Sequence, residues 1–108
     1  ELVSLQLGLG TDELALAGIA DISTADVTEA AARMRGLDLV ISVDTMVAHL
    51  AGALGLPTWV LLQQQCDWRW MSARSDSPWY PTARLFRQPQ QGDWAGAIHL
   101  VVGALRDF

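Results

Sequence analysis

The stretch from Leu37 to Val43 is almost unbroken apolar sequence, rich in β-branched side chains, and it stops abruptly at Asp44-Thr45. A run of this kind predicts a strand buried on both faces, and such strands belong to parallel sheets covered by helices on either side. Its surroundings fit. Upstream, Leu2-Val3-Ser4-Leu5-Gln6-Leu7 reads as a strand that stops at Gly8 and Gly10, and Ser23 with Asp26 three residues on marks a helix start. Val27, Ala30, Ala31 and Met34 then form one helical face, which Gly36 ends. Between the two, Thr11 to Ile22 is ambiguous, with a short helix over Glu13 to Ala17 as one reading.

Downstream, a helix launches from Asp44-Thr45 with Val47, Leu50, Ala51 and Leu54 as its core stripe, Gly55 as cap and Pro57 as stop. Thr58 to Leu62 is the next strand, Gln63 to Thr82 a long segment without period, and Ala83 to Arg87 another strand. Gly92-Asp93 caps a last helix with Trp94, Ala97, Ile98, Val101, Val102 and Leu105 toward the core, and Arg106 suits its C-terminal dipole. Strands alternating with helices predict an α/β fold, an open, doubly wound, Rossmann-like parallel sheet.

The 108 residues leave room for one domain and one core, so residues 1–108 are read as a single domain. The chain opens at Glu1 inside an apolar run, which leads us to expect a fragment of a larger protein. Every basic residue is Arg, and the formal net charge is −5. Without a basic stripe, nucleic acid is a poor partner. No apolar stretch approaches the roughly 20 residues that span a bilayer, and no signal-peptide pattern is present. One cysteine, Cys66, forms no internal disulfide and fits a reducing cytoplasm; with the acidic Asp67 beside it, it is a poor candidate nucleophile.

Ligands of open α/β sheets sit beyond the carboxyl ends of the strands. Three segments leave such ends here: Gly8 to Asp12, Asp44 to His49, and Gln63 to Thr82. At the second, the N–H groups of Met46 and Val47 open a helix, a ready seat for phosphate. Thr45, Ala48, His49 and Gly52 fall on one small, polar face opposite the expected core stripe, where a ligand or another domain can approach closely. The plainer reading makes Asp44 and Thr45 a cap and His49 a packing residue. In the long loop, Trp68, Trp70, Trp79 and Tyr80 offer stacking surfaces, while Arg69 and Arg74 suit phosphates. Alternatively the tryptophans fold back over the sheet edge and Asp67 and Asp76 pair the arginines.

The string Asp44-Thr45-Met46-Val47-Ala48-His49-Leu50-Ala51-Gly52-Ala53-Leu54-Gly55 resembles the D-T-x-x-x-H-L-x-x-A-L-G signature of the heptosyltransferases, glycosyltransferase family nine. From Leu37 to Trp94 the chain is also similar to the C-terminal region of bacterial tetratricopeptide-repeat proteins that end in a glycosyltransferase-like domain. Asp67-Trp68-Arg69-Trp70, Asp76-Ser77-Pro78-Trp79-Tyr80-Pro81, Arg84-Leu85-Phe86-Arg87-Gln88 and Gly92-Asp93-Trp94 carry that likeness.

The resemblance implies the C-terminal half of a GT-B fold, in which two Rossmann-like domains face each other across a cleft. The C-terminal one holds most of a nucleotide-diphosphate sugar, with no cofactor and no metal. On that reading Asp44 matches the carboxylate that contacts the donor sugar or orients the loop. Thr45 and the Met46 N–H, with Val47 beside them, match the diphosphate binders, and His49 a nearby polar contact. Gln6, Gly8, Trp68, Arg69, Trp70 and Arg74 become contacts to base or sugar. The implied partners are a missing N-terminal domain that holds most of the acceptor site, and a repeat array; the isolated chain is then expected to be inactive, and a homodimer of the fragment stays open. The chain departs from the family pattern at Met46, where glycine is usual, and after the first strand, where Gln6-Leu7-Gly8 offers no basic residue. Both departures point to the alternative, a catalytically inactive domain kept as a protein-interaction module.

Overall fold

A computed structural model describes residues 2–5, 17–71 and 74–108. The chain forms two compact units, residues 1–37 and 38–108. In the first, strands β1 (Val3–Ser4) and β2 (Ala20–Asp21) pair in parallel. Helix α1 (Val27–Met34) follows. Ser23 is not its cap: Asp26 is, accepting from the N–H groups of Thr28 and Glu29 at 2.9 and 3.3 Å. Ala30 and Met34 of the expected face are buried and Val27 is exposed. The expected continuation of the first strand through Leu7, the segment Gly8 to Asp12 and the proposed helix over Glu13 to Ala17 lie, apart from Ala17, outside the described residues.

The second unit is a parallel three-stranded sheet in the order β3 (Val40–Val43), β4 (Thr58–Leu62), β5 (Ala83–Arg87). Helix α2 (Met46–Ala53) joins β3 to β4, and helix α3 (Trp94–Leu105) follows β5. The strand buried on both faces is β4, all of whose residues are buried. Because successive strand side chains point to opposite faces, Val60 and Leu62 enter one core cluster with Ala48, Trp70 and Leu85. Trp59 and Leu61 enter the other, with Phe86, Ala97 and Val101 of α3. The expectation of two-sided burial at Leu37 to Val43 fails in this sheet. Among the described residues β3 pairs only with β4, and Ile41 and Val43 remain 40% and 45% exposed.

Two helix faces also differ from expectation. In α2 the buried residues are Ala48, Ala51 and Gly52, while Val47, Leu50 and Leu54 are half-buried. Small side chains carry little hydrophobic signal, but they let the helix backbone close on the sheet. In α3, apolar all round, Ala97 and Val101 are buried, but Trp94, Ile98, Val102 and Leu105 are exposed. A helix without a polar face gives periodicity nothing to select.

Helix ends are better behaved. Gly55, at φ 72°, closes α2 with Leu56 N–H bonded to Ala51 O and Gly55 N–H to Gly52 O, both at 3.1 Å. This is a Schellman ending, which needs the left-handed region open to glycine. No described helix is long and apolar enough to cross a membrane.

Candidate functional site

β3 ends at Val43, and within three residues the chain has turned into α2. Thr45 is the N-cap residue, yet its side chain makes no capping bond. Its hydroxyl pairs instead with Ser42 Oγ at 3.1 Å, and Ser42 Oγ donates to Val43 O at 2.8 Å. The first intrahelical acceptor, Thr45 O, receives Ala48 N–H at 3.1 Å and His49 N–H at 3.4 Å. The N–H groups of Met46 and Val47 therefore have no acceptor among the described residues, and Met46 is 53% exposed. Free amides at the start of a helix carry its positive dipole end.

Asp44 does not cap the helix either. Its Oδ1 lies 3.3 Å from His49 Nε2, and His49 Nδ1 lies 2.9 Å from the hydroxyl of Tyr80. The imidazole stacks on Trp70 with centroids 5.2 Å apart. Gly52 does not admit a ligand: a Cβ there would lie 2.6 Å from Tyr80 Cγ, so the expected small open face is the seat of the tyrosine ring.

The segment from Gln63 to Thr82 is not structureless. Trp68–Trp70 make a 3-10 turn capped by Asp67, which accepts from Arg69 N–H at 3.0 Å. Ser75 O accepts from Leu85 N–H at 2.8 Å, and Asp76 bridges to Arg84. At the end of β5, Arg87 latches the segment to the sheet: it donates to Trp70 O, to Arg74 O at 3.1 Å and to Cys66 Sγ at 3.0 Å. Trp70 is 1% exposed and packs in the core, so it does not offer a face to a base, whereas Trp68 and Trp79 are exposed and meet edge to face. Both arginines of the loop are paired with aspartates, Arg69 with Asp67 at 3.0 Å and Arg74 with Asp76 at 2.7 Å. Bonding to the Arg69 backbone N–H holds the Asp67 carboxyl below its usual range, and bonding to the Arg74 side chain does the same for Asp76. Gln6 and Gly8 lie outside the described residues.

A crevice of about 310 Å³ opens at the carboxyl ends of β3 and β4, with Asp44, Gln63 and Asp67 among its polar walls. Its position is where open α/β sheets hold ligands. Two acidic side chains and two glutamines suit hydroxyl groups better than phosphate. Among the described residues no three His, Cys, Asp or Glu side chains converge as metal ligands. Asp44, Thr45, Met46, Val47 and His49, the residues singled out in the sequence, lie together at the turn from β3 into α2. Sequence reasoning missed the pairing of His49 with Tyr80 and the latch through Arg87, since neither contact has a local spacing to betray it.

Residues 19–88 match the model of glycosyltransferase family 9 (heptosyltransferase). The chain is also 37% identical over 84 residues to protein FlbA of Caulobacter vibrioides, an alignment that covers 78% of this chain and 14% of that protein. The chain thus spans a small part of the relative's length. No solved structure matches. A family model that covers α1, the turn at Asp44, all of α2 and the loop up to the end of β5 leaves one conclusion: the chain belongs to glycosyltransferase family 9.

Proposed function

We propose that this chain, over residues 1–108, is the donor-binding part of a glycosyltransferase, the C-terminal half of a doubly wound GT-B fold, which moves a sugar from a nucleotide-diphosphate donor to an acceptor. The observation that carries the reading is the start of α2, where the amides of Met46 and Val47 lack acceptors and the Thr45 hydroxyl is turned to Ser42. A diphosphate seated there accepts from those amides and complements the helix dipole. The acidic crevice next to it suits the hydroxyl-bearing sugar, with Asp44 as acceptor. Stabilising the leaving diphosphate by fixed dipoles needs no rearrangement at the moment of bond cleavage. Trp68, with Arg69 over its ring at 5.1 Å, is the surface left for a base. Acceptor and general base then belong to a partner domain preceding this one, in a cytoplasmic protein that also carries repeats, and the chain alone transfers nothing.

A second reading, an inactive interaction module, is favoured by one observation: Arg69 and Arg74 are already paired and so do not offer a free cation to the leaving group. The two readings separate in a titration of uridine, guanosine, adenosine and cytidine diphosphosugars followed by amide NMR. The donor reading expects one of them to shift the Met46 and Val47 amide signals, and expects Asp44→Ala and His49→Ala, still folded, to weaken that binding at least about tenfold, the loss of one or two charge-assisted bonds. Silence across all four sugars sinks it in favour of the module.

A further inference from the structure

Tyr80 is bound to His49 across a separation of 31 residues, a contact that costs chain entropy to form. Several features act to place its hydroxyl. The ring lies on α2 at Gly52, the position where any side chain would collide with it. Ser77 Oγ accepts from the N–H groups of Trp79 and Tyr80 at 3.2 and 3.3 Å, and Tyr80 O accepts from Ala83 N–H at 3.0 Å. Buried Trp70 lies beneath the imidazole, and its ring centroid is 6.1 Å from that of Tyr80.

The protons along Asp44, His49 and Tyr80 follow from what each group can do. A carboxylate only accepts, so the nitrogen that faces it, Nε2, carries a proton. In a neutral ring Nδ1 is then a lone pair, and the Tyr80 O–H donates to it. In a doubly protonated ring Nδ1–H would donate to Tyr80 Oη instead, and the phenolic proton of the half-buried tyrosine would turn to solvent. The neutral arrangement satisfies every member within the protein.

We propose that Tyr80 is a positioning residue of the donor site: its hydroxyl, donating to Nδ1, holds His49 as a neutral Nε2–H donor to Asp44 and so keeps the Asp44 carboxylate oriented in the crevice as an acceptor for sugar hydroxyls. The functional half of this rests on the donor-site reading above. The arrangement of the ring does not.

The chain has two histidines, His49 and the exposed His99, so long-range nitrogen–proton spectra of the imidazoles resolve both. At about pH 8, above the ordinary imidazole range, His49 shows a protonated Nε2 and an Nδ1 displaced from that of His99 by the bond it accepts. Tyr80→Phe keeps the ring on Gly52 and removes only the hydroxyl, and it moves the His49 Nδ1 signal to the His99 position. An Nδ1 signal that Tyr80→Phe leaves in place overturns the proposal. So does a wild-type spectrum in which Nδ1 is protonated or matches His99, a result that decides the matter even if the variant does not fold. These spectra contain no nucleotide, so a silent sugar panel removes the donor reading while the ring arrangement stands or falls separately. For whichever of the four diphosphosugars binds, Tyr80→Phe weakens binding roughly 2- to 10-fold, the worth of one hydrogen bond; equal affinity overturns the positioning role.

Discussion

Among the described residues, three α-helices begin in two different ways. α1 and α3 start on an aspartate whose carboxylate turns back onto the helix: Asp26 accepts from Thr28 and Glu29, and Asp93 accepts from Gly96 N–H at 2.9 Å. α2 also has an aspartate within reach, but Asp44 faces His49, Thr45 faces Ser42, and the first amides are left bare. The capped starts are held by bonds that span three residues or fewer. The bare one is held from a distance, through Trp70 and Tyr80 on a loop latched by Arg87. A helix start that stabilises itself locally is a folding device. One that forgoes about 1 kcal/mol of capping and depends on remote side chains is the kind of start that the proposed donor site requires, because free amides at a dipole end suit an anion.

The most forceful way to break that contrast is Trp70→Ala. Deleting a fully buried tryptophan costs about 3–5 kcal/mol, and the loss is expected at the start of α2, because the ring under His49 disappears with it. Hydrogen exchange reads this residue by residue: α2 amides lose protection first while those of α3 follow only with global unfolding. Equal loss in both helices would mean that α2 is no more dependent on the loop than its capped neighbour is.

Exchanging the two kinds of start sharpens the comparison. Asp93→Ala removes a cap and costs about 1 kcal/mol of stability. Thr45→Asp installs one, and gains up to about 1 kcal/mol by the same bond. It also puts a carboxylate where the diphosphate would sit, so it abolishes the amide shifts that a diphosphosugar causes. Stability rising while binding vanishes is the expected signature, read by denaturant titration and by the same NMR panel. A more stable Thr45→Asp that binds as before would separate the bare amides from the ligand.

Much of this was legible in the sequence. β4, β5, the close of α2 at Gly55 and the start of α3 at Asp93 were read from apolar runs and from glycine and aspartate positions, because such signals act over a few residues; the start of α1 was set on Ser23, three residues ahead of its true cap. The residues gathered at the turn after β3 were legible for the same reason. The facing of α2 was not, since Ala48, Ala51 and Gly52 bury little apolar area and leave Val47 and Leu50 as the louder signal. Nor was the fate of the tryptophans: Trp68 and Trp70 are two positions apart in one 3-10 turn, and only the sheet beneath decides that one is core and the other surface. Contacts such as His49 with Tyr80 depend on where a loop returns, which no local period encodes.

The smallest effect concerns the ion pairs that hold that loop. Asp76 is held below its usual 3.8 mainly by the Arg74 side chain, and Asp67 mainly by the Arg69 backbone N–H, so both favour the folded loop when ionised. A carboxyl with a depressed folded value lends its stabilisation fully above the unfolded value and loses it as pH falls through the folded one. The loop is therefore expected to loosen only below about pH 3.8, the usual aspartate value. Both pairs are exposed to solvent, which screens them, and the change in global stability is expected to be slight. Carboxyl-carbon titration of Asp67 and Asp76, compared with exchange at the Tyr80 amide, makes the link testable. If the distant anchoring of α2 runs through the loop, acid that protonates these two aspartates raises exchange at Tyr80 and at Arg69, whose N–H Asp67 caps, while the sheet stays protected. If Tyr80 is indifferent to them, its anchoring rests on Ser77 and Gly52 alone, and the bare helix start is held by fewer parts than the contrast with its capped neighbours requires.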